Sequence, residues 1–137
     1  MIRRRNWLLF LSFPQVILLL ACAPVQEKMP EPTGIEIDGV IIRNELAFAV
    51  TEVQLLVPRS GNFVGCGNVM ARSQCSTKFP SRDYYANEVI ISWKEYGQQQ
   101  STGPFVIKLP DNVNPDQPAT LEVIIFNRGQ AGAKLVQ

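Results

Sequence analysis

The chain has 137 residues, thirteen of them basic and twelve acidic, for a formal charge of +1, and it contains no histidine. So even a balance gives nucleic acid no electrostatic reason to bind. The missing histidine removes the general base of any Ser-His-Asp or Cys-His arrangement.

Arg3, Arg4 and Arg5 open the chain, an apolar run follows from Trp7 to Leu20, and small Ala21 closes it. A basic start, a short apolar stretch and a small terminal residue are the parts of a secretory signal peptide. The run has about 14 residues and is interrupted by Pro14 and Gln15, whereas spanning a bilayer takes about 20. Export, with removal of this segment, is the expectation.

Leu19-Leu20-Ala21-Cys22 resembles the lipobox of bacterial lipoproteins. Leu19 and Ala21 fit that pattern, and Leu20 stands where the family more often has Ala, Ser or Thr. The resemblance covers the first 22 residues. It implies cleavage before Cys22, a diacylglycerol on its thiol, and anchoring by more than one acyl chain, which stable attachment requires. Ala23, and not Asp, follows the cysteine. By the same resemblance the protein would sit on the outer membrane and face the periplasm, with the inner membrane or the cell surface as alternatives.

Cleavage there divides the chain into a leader at 1–21, a lipidated N-terminus and tether at 22–33, and one domain at 34–137. The 116 residues that remain suffice for one domain and not for two. Without the three leader arginines, ten basic residues face twelve acidic ones, and no basic patch is left for nucleic acid. With Cys22 acylated, Cys66 and Cys75 remain, with eight residues between them. In an oxidising compartment they are expected to form a disulfide, contributing about 2–3 kcal/mol by closing the loop. Their spacing is not C-x-x-C, and no histidine completes a zinc set, so no metal or cofactor is expected.

Residues 23–33 carry Pro24, Pro30 and Pro32 and little apolar content. They read as an extended tether with a reach of about 35 Å at roughly 3.1 Å per residue. From Gly34 onward the apolar residues recur every second position. Ile35 and Ile37 precede an expected turn at Asp38-Gly39, and Val40 to Ile42 follow it. Leu46, Phe48 and Val50 share one phase, and Val53, Leu55 and Val57 share the other. That change of phase predicts a bulge near Thr51-Glu52, or a strand passing between sheets. Pro58 ends the strand, and a turn is expected at Ser60-Gly61-Asn62.

The stretch from Phe63 to Phe79 reads as two short strands, with Cys66 and Cys75 joined across a turn near Ala71-Arg72. Val89, Ile91 and Trp93 point one way, and Glu88, Ser92 and Lys94 the other. A polar connection is expected from Gly97, a strand over Phe105, Ile107 and Leu109, and a polar loop at 110–118. Leu121, Val123 and Ile125 alternate in the next strand. Asn127 to Gln130 turn the chain into a last strand ending at Leu135.

About seven to eight short strands with turn signals between them predict a single antiparallel β-sandwich, or alternatively a small β-barrel. Trp93 has the mid-chain place of the core tryptophan in immunoglobulin-like sandwiches, and the domain resembles that class or the transthyretin-like one. Cys66 and Cys75 are too close in sequence for the usual inter-sheet disulfide of immunoglobulin-like domains.

No enzymatic activity is expected. No Ser-x-x-Lys occurs, Gly65-Cys66-Gly67 lacks the Lys-Ser/Thr of a phosphate loop, and Asp83 with Glu88 is a weak carboxylate pair. Binding is the better reading. Tyr84, Tyr85 and Tyr96 form a candidate binding surface for a protein partner of the envelope or, alternatively, for a glycan or other small ligand. The competing role for one of these tyrosines is to pin a strand corner through its hydroxyl.

Overall fold

The computed structural model describes residues 34–137, apart from the side chains of Phe79 and Pro80. The leader, the lipobox with Cys22 and the tether lie outside the described residues. The period-two pattern becomes nine strands: β1 (Ile35–Asn44), β2 (Val50–Val57), β3 (Asn62–Val69), β4 (Gln74–Tyr84), β5 (Glu88–Glu95), β6 (Gln98–Ser101), β7 (Phe105–Val106), β8 (Ala119–Asn127) and β9 (Gln130–Val136). One sheet runs β4-β1-β8-β9 and the other β3-β2-β5-β6, with β7 paired to β5. Two separate sheets make this a β-sandwich and not a closed barrel. Every pairing is antiparallel except that of β1 with β8.

Alternation sends one side chain in two inward, and these meet between the sheets. Ile35, Ile37, Val40 and Ile42 of β1 and Leu121, Val123 and Ile125 of β8 are buried, as are Val53 and Leu55 of β2 and Val89, Ile91 and Trp93 of β5. Trp93 is fully enclosed. On the outer face of the first sheet, Glu122 of β8 is held between Arg43 of β1 at 2.6 Å and Lys134 of β9 at 3.0 Å.

The phase change at Thr51-Glu52 is a bulge. Glu52 has a φ of 51°, and the register of β2 against β5 shifts between Thr51 and Gln54. Asp38-Gly39, expected as a turn, instead lies within β1, where the register shifts between Ile37 and Gly39. A Cβ on Gly39 would come within 3.2 Å of the Thr77 carbonyl oxygen, so a glycine lets β4 approach there. The polar stretch after Gly97 is also a strand, β6. Tyr96 and Gly97, with φ of 48° and 77°, form the two-residue positive-φ turn that suits hairpins, and the turn brings Gln98 opposite Glu95. Of the expected strand over 105–109, only Phe105–Val106 pairs, although Ile107 is buried.

The stretch containing both cysteines forms two strands, but they do not make a hairpin. β3 lies at the edge of one sheet and β4 at the edge of the other, and Met70 to Ser73 carry the chain across. The Cys66–Cys75 disulfide, with Cα atoms 6.4 Å apart, therefore ties the two sheets together at one side. Short sequence separation did not rule out an inter-sheet bridge, because the chain changes sheets inside the closed loop.

Candidate functional site

Strand direction gives the sandwich two unlike ends. At one end lie the turns at 45–49, 70–73, 96–97 and 128–129; at the other lie Gly34, the turn at 58–61 and the 85–87 connection.

The first end is closed by two buried polar side chains. Asn44 donates through Nδ2 to the carbonyls of Phe48 (2.8 Å), Val69 (3.1 Å) and Met70 (3.0 Å), and its Oδ1 accepts from Leu46 N (3.0 Å). Glu95 accepts from Trp93 Nε1 at 2.9 Å and from the Gly129 backbone N–H at 2.8 Å, linking hairpin tips of opposite sheets. Neither residue was singled out from the sequence. The signal was there, since Asn44 shares the parity of Ile42 and Glu95 that of Trp93. A polar residue on an apolar parity marks a buried partner to be found.

Above this closure the Phe48 and Tyr96 rings lie 4.6 Å apart, and the Arg128 guanidinium sits 5.9 Å from the first and 6.0 Å from the second. Tyr96 is 72% exposed. The rim of this end is thus an aromatic pair with a cation held over it.

The second end is open. A cleft of about 590 Å³ is walled by Val57, Phe63 and Val64 on one side and by Arg82, Asp83 and Tyr85 on the other, over a floor of buried core side chains. Beside it the ladder of β4 with β1 is interrupted and then resumes. Lys78 pairs with Gly39 and Arg82 with Ile37, so three residues of β4 stand opposite one of β1. Tyr84 walls the cleft. Its hydroxyl donates to the Asn87 carbonyl at 2.9 Å and accepts from Ile107 N at 3.0 Å. Burial pushes the Tyr84 pKa above its ordinary value, opposed by the hydrogen bond from Ile107.

Of the three tyrosines singled out from the sequence, Tyr84 and Tyr85 line the cleft at the open end, and Tyr96 lies at the closed end. Tyr84 is buried at 6% exposure and pins the corner between β4 and β5. Tyr85 is half exposed at the cleft mouth, its hydroxyl donating to Asp83 Oδ2 at 3.2 Å. Tyr96 is at the other end of β5, about 27 Å away along an eight-residue strand. Asp83 and Glu88 are both exposed. Among the described residues no cluster of three His, Cys, Asp or Glu could hold a metal, and no helix is long and apolar enough to cross a membrane.

No family model matches this chain, and no curated protein matches it in sequence. A solved structure described as the NMR structure of the protein from Eubacterium rectale is similar at a TM-score of 0.43 and 9% identity, over 80% of this chain and 94% of that one. Likeness at that level assigns neither a family nor an activity.

Proposed function

We propose that this protein is a lipid-anchored, periplasm-facing lipoprotein of the outer membrane whose β-sandwich is a protein-interaction module of the cell envelope. The observation that carries the reading is the Phe48–Tyr96–Arg128 group at the closed end. Tyrosine, phenylalanine and arginine are the side chains that protein interfaces favour at their centres. The group lies at the far end of β1 from Gly34, where the tether joins, about 30 Å away along a ten-residue strand.

Turn chemistry supports the reading. Asn is favoured where the first residue of a two-residue hairpin turn has positive φ, yet Tyr96 stands there. A large aromatic in a turn position that suits a small polar residue serves something other than the turn.

The test is crosslinking in the native envelope followed by capture and mass spectrometry, with wild type, Cys22→Ser and Tyr96→Asn side by side. One or two defined envelope proteins captured by wild type and lost in both variants support the module. Capture that persists in Tyr96→Asn moves the interface elsewhere, and recovery of glycan fragments alone replaces it with a glycan-binding role.

A further inference from the structure

Each sheet ends in two edge strands, whose outward N–H and C=O groups are left for solvent or for another strand. Among the described residues, the edges at β4, β3 and β6 are guarded. β4 carries Pro80, which has no N–H, and its ladder breaks between Lys78 and Arg82. β3 is crowded by the disulfide to Cys75 and by the crossing from Met70 to Ser73. β6 has four residues, and the chain leaves it before β7 resumes beside β5. β9 differs. All seven of its residues pair with β8, and the extra residue in that ladder is Phe126, on the β8 side. Among the described residues no strand pairs with its other edge.

The usual chemical guard is also withdrawn. Lys134 is the one charged residue of β9, and its Nζ lies 3.0 Å from Glu122 Oε2, reaching back over β8 and away from the open edge. Ala131, Gly132 and Ala133 follow one another along the strand, each half-buried. No bulky side chain there stands between this backbone and an approaching one.

We propose that β9 is a dimer seam: a second copy of this chain lays its own β9 antiparallel to the first, and the two four-stranded sheets become one continuous sheet. A second copy is favoured over a foreign strand because β9 complements itself. A two-fold axis normal to the sheet keeps both inner faces on the same side and sets one residue against its own copy. Centred on Ala133, the axis pairs residues 130–136 throughout. Lys134 then stands opposite Gly132, Leu135 opposite Ala131 and Val136 opposite Gln130, large against small and with no like charges facing. An axis at Gly132 pairs only residues 130–134. One at Lys134 pairs only 132–136 and sets two ammonium groups against each other. The seam lies on the flank of the sandwich, uses none of Phe48, Tyr96 and Arg128, and rests on neither the anchoring nor the interface proposed above.

The test uses residues 22–137 with Cys22→Ser, exported behind a cleavable leader, since the sandwich carries its own core. Sedimentation velocity over a concentration series should show a reversible monomer–dimer equilibrium. Residue 132 reads the register, because the two-fold sets it opposite Lys134 twice. Gly132 is not at positive φ, and a Cβ there meets Phe126 Cε1 at an ordinary 3.8 Å, so a side chain is accommodated. Relative to Gly132→Gln, Gly132→Lys should weaken dimerisation about two- to thirtyfold, and Gly132→Glu should tighten it over the same range. Damage to the fold does not produce effects of opposite sign. In a mixture of two tagged chains, Gly132→Cys should form an intermolecular disulfide with Lys134→Cys in preference to either variant with itself. A monomer at every concentration overturns the proposal. So does a dimer indifferent to the charge at residue 132, or a crosslink without that preference.

Discussion

The Trp93 indole N–H donates to Glu95 Oε1 at 2.9 Å, between residues two apart on the same inward face of β5. The largest side chain of the core thus brings its one polar atom to a carboxylate that also holds the Gly129 N–H and lies 3.9 Å from Arg128. Glu95→Ala leaves the buried Trp93 donor unmet, at about 1–3 kcal/mol, and the part-buried Gly129 N–H at less. We expect a loss of about 2–4 kcal/mol in urea unfolding and a red shift of Trp93 emission. Glu95→Gln keeps an acceptor and should lose less. Equal losses in the two variants would mean that the charge, and not the hydrogen bonding, closes this end.

Removing the disulfide tests how the sheets are tied. Cys66→Ser, Cys75→Ser and the double variant should each lose about 2–3 kcal/mol, the value for a short closed loop. Because the bond constrains the unfolded chain, equilibrium unfolding with and without reductant measures it. A double variant as stable as wild type would show that the inter-sheet tie is energetically idle.

The Tyr84 corner makes a pH prediction. Burial raises the folded-state pKa above the unfolded value of about 10, so the unfolded chain ionises first as the solution becomes alkaline. The stability contributed by keeping Tyr84 neutral is complete below about pH 10 and is lost as pH rises through the folded pKa. Tyr84→Phe should flatten that alkaline slope. It should also cost about 1–3 kcal/mol at neutral pH, since the Ile107 N–H and the Asn87 carbonyl lose their partner. An unchanged alkaline slope in Tyr84→Phe would assign it to other groups.

Tyr96→Asn separates interface from fold. Asn accepts the φ of 48° more readily than Tyr, while the ring contact with Phe48 is lost, an interaction worth about 0.5–1.5 kcal/mol. The two effects oppose each other, so stability should move by less than about 1 kcal/mol while partner capture disappears. Thermal melting and envelope crosslinking on the same variant decide it.

Most of the sandwich was legible because alternation is a local signal. Val89, Ile91 and Trp93 had one reading, and even the Glu52 bulge showed as a slip of phase. What the pattern did not carry was partnership between distant strands. Nothing near Cys66 says that β3 and β4 belong to different sheets, and nothing near Ile37 says that Ala119 lies beside it. Tyr84 and Tyr85 at one end of β5 and Tyr96 at the other were legible, because a single strand separates them. The irregularity of β4 between Lys78 and Arg82 likewise shows only in its register against β1.

The parallel contact between β1 and β8 also sets a timetable. The pairs β2–β3 and β5–β6 join strands close in sequence, so they can form as soon as their residues emerge. β1 must wait for β8, since Ile37 to Asn44 line up with Ala119 to Ile125. Contacts of such separation form late and slowly. In a chain that emerges from its N-terminus, β1 keeps its β8 side unpaired until nearly all the residues have followed. Over that interval it is open to chaperones and proteases, and a chain cut short before β8 has no central pair on which to build the first sheet.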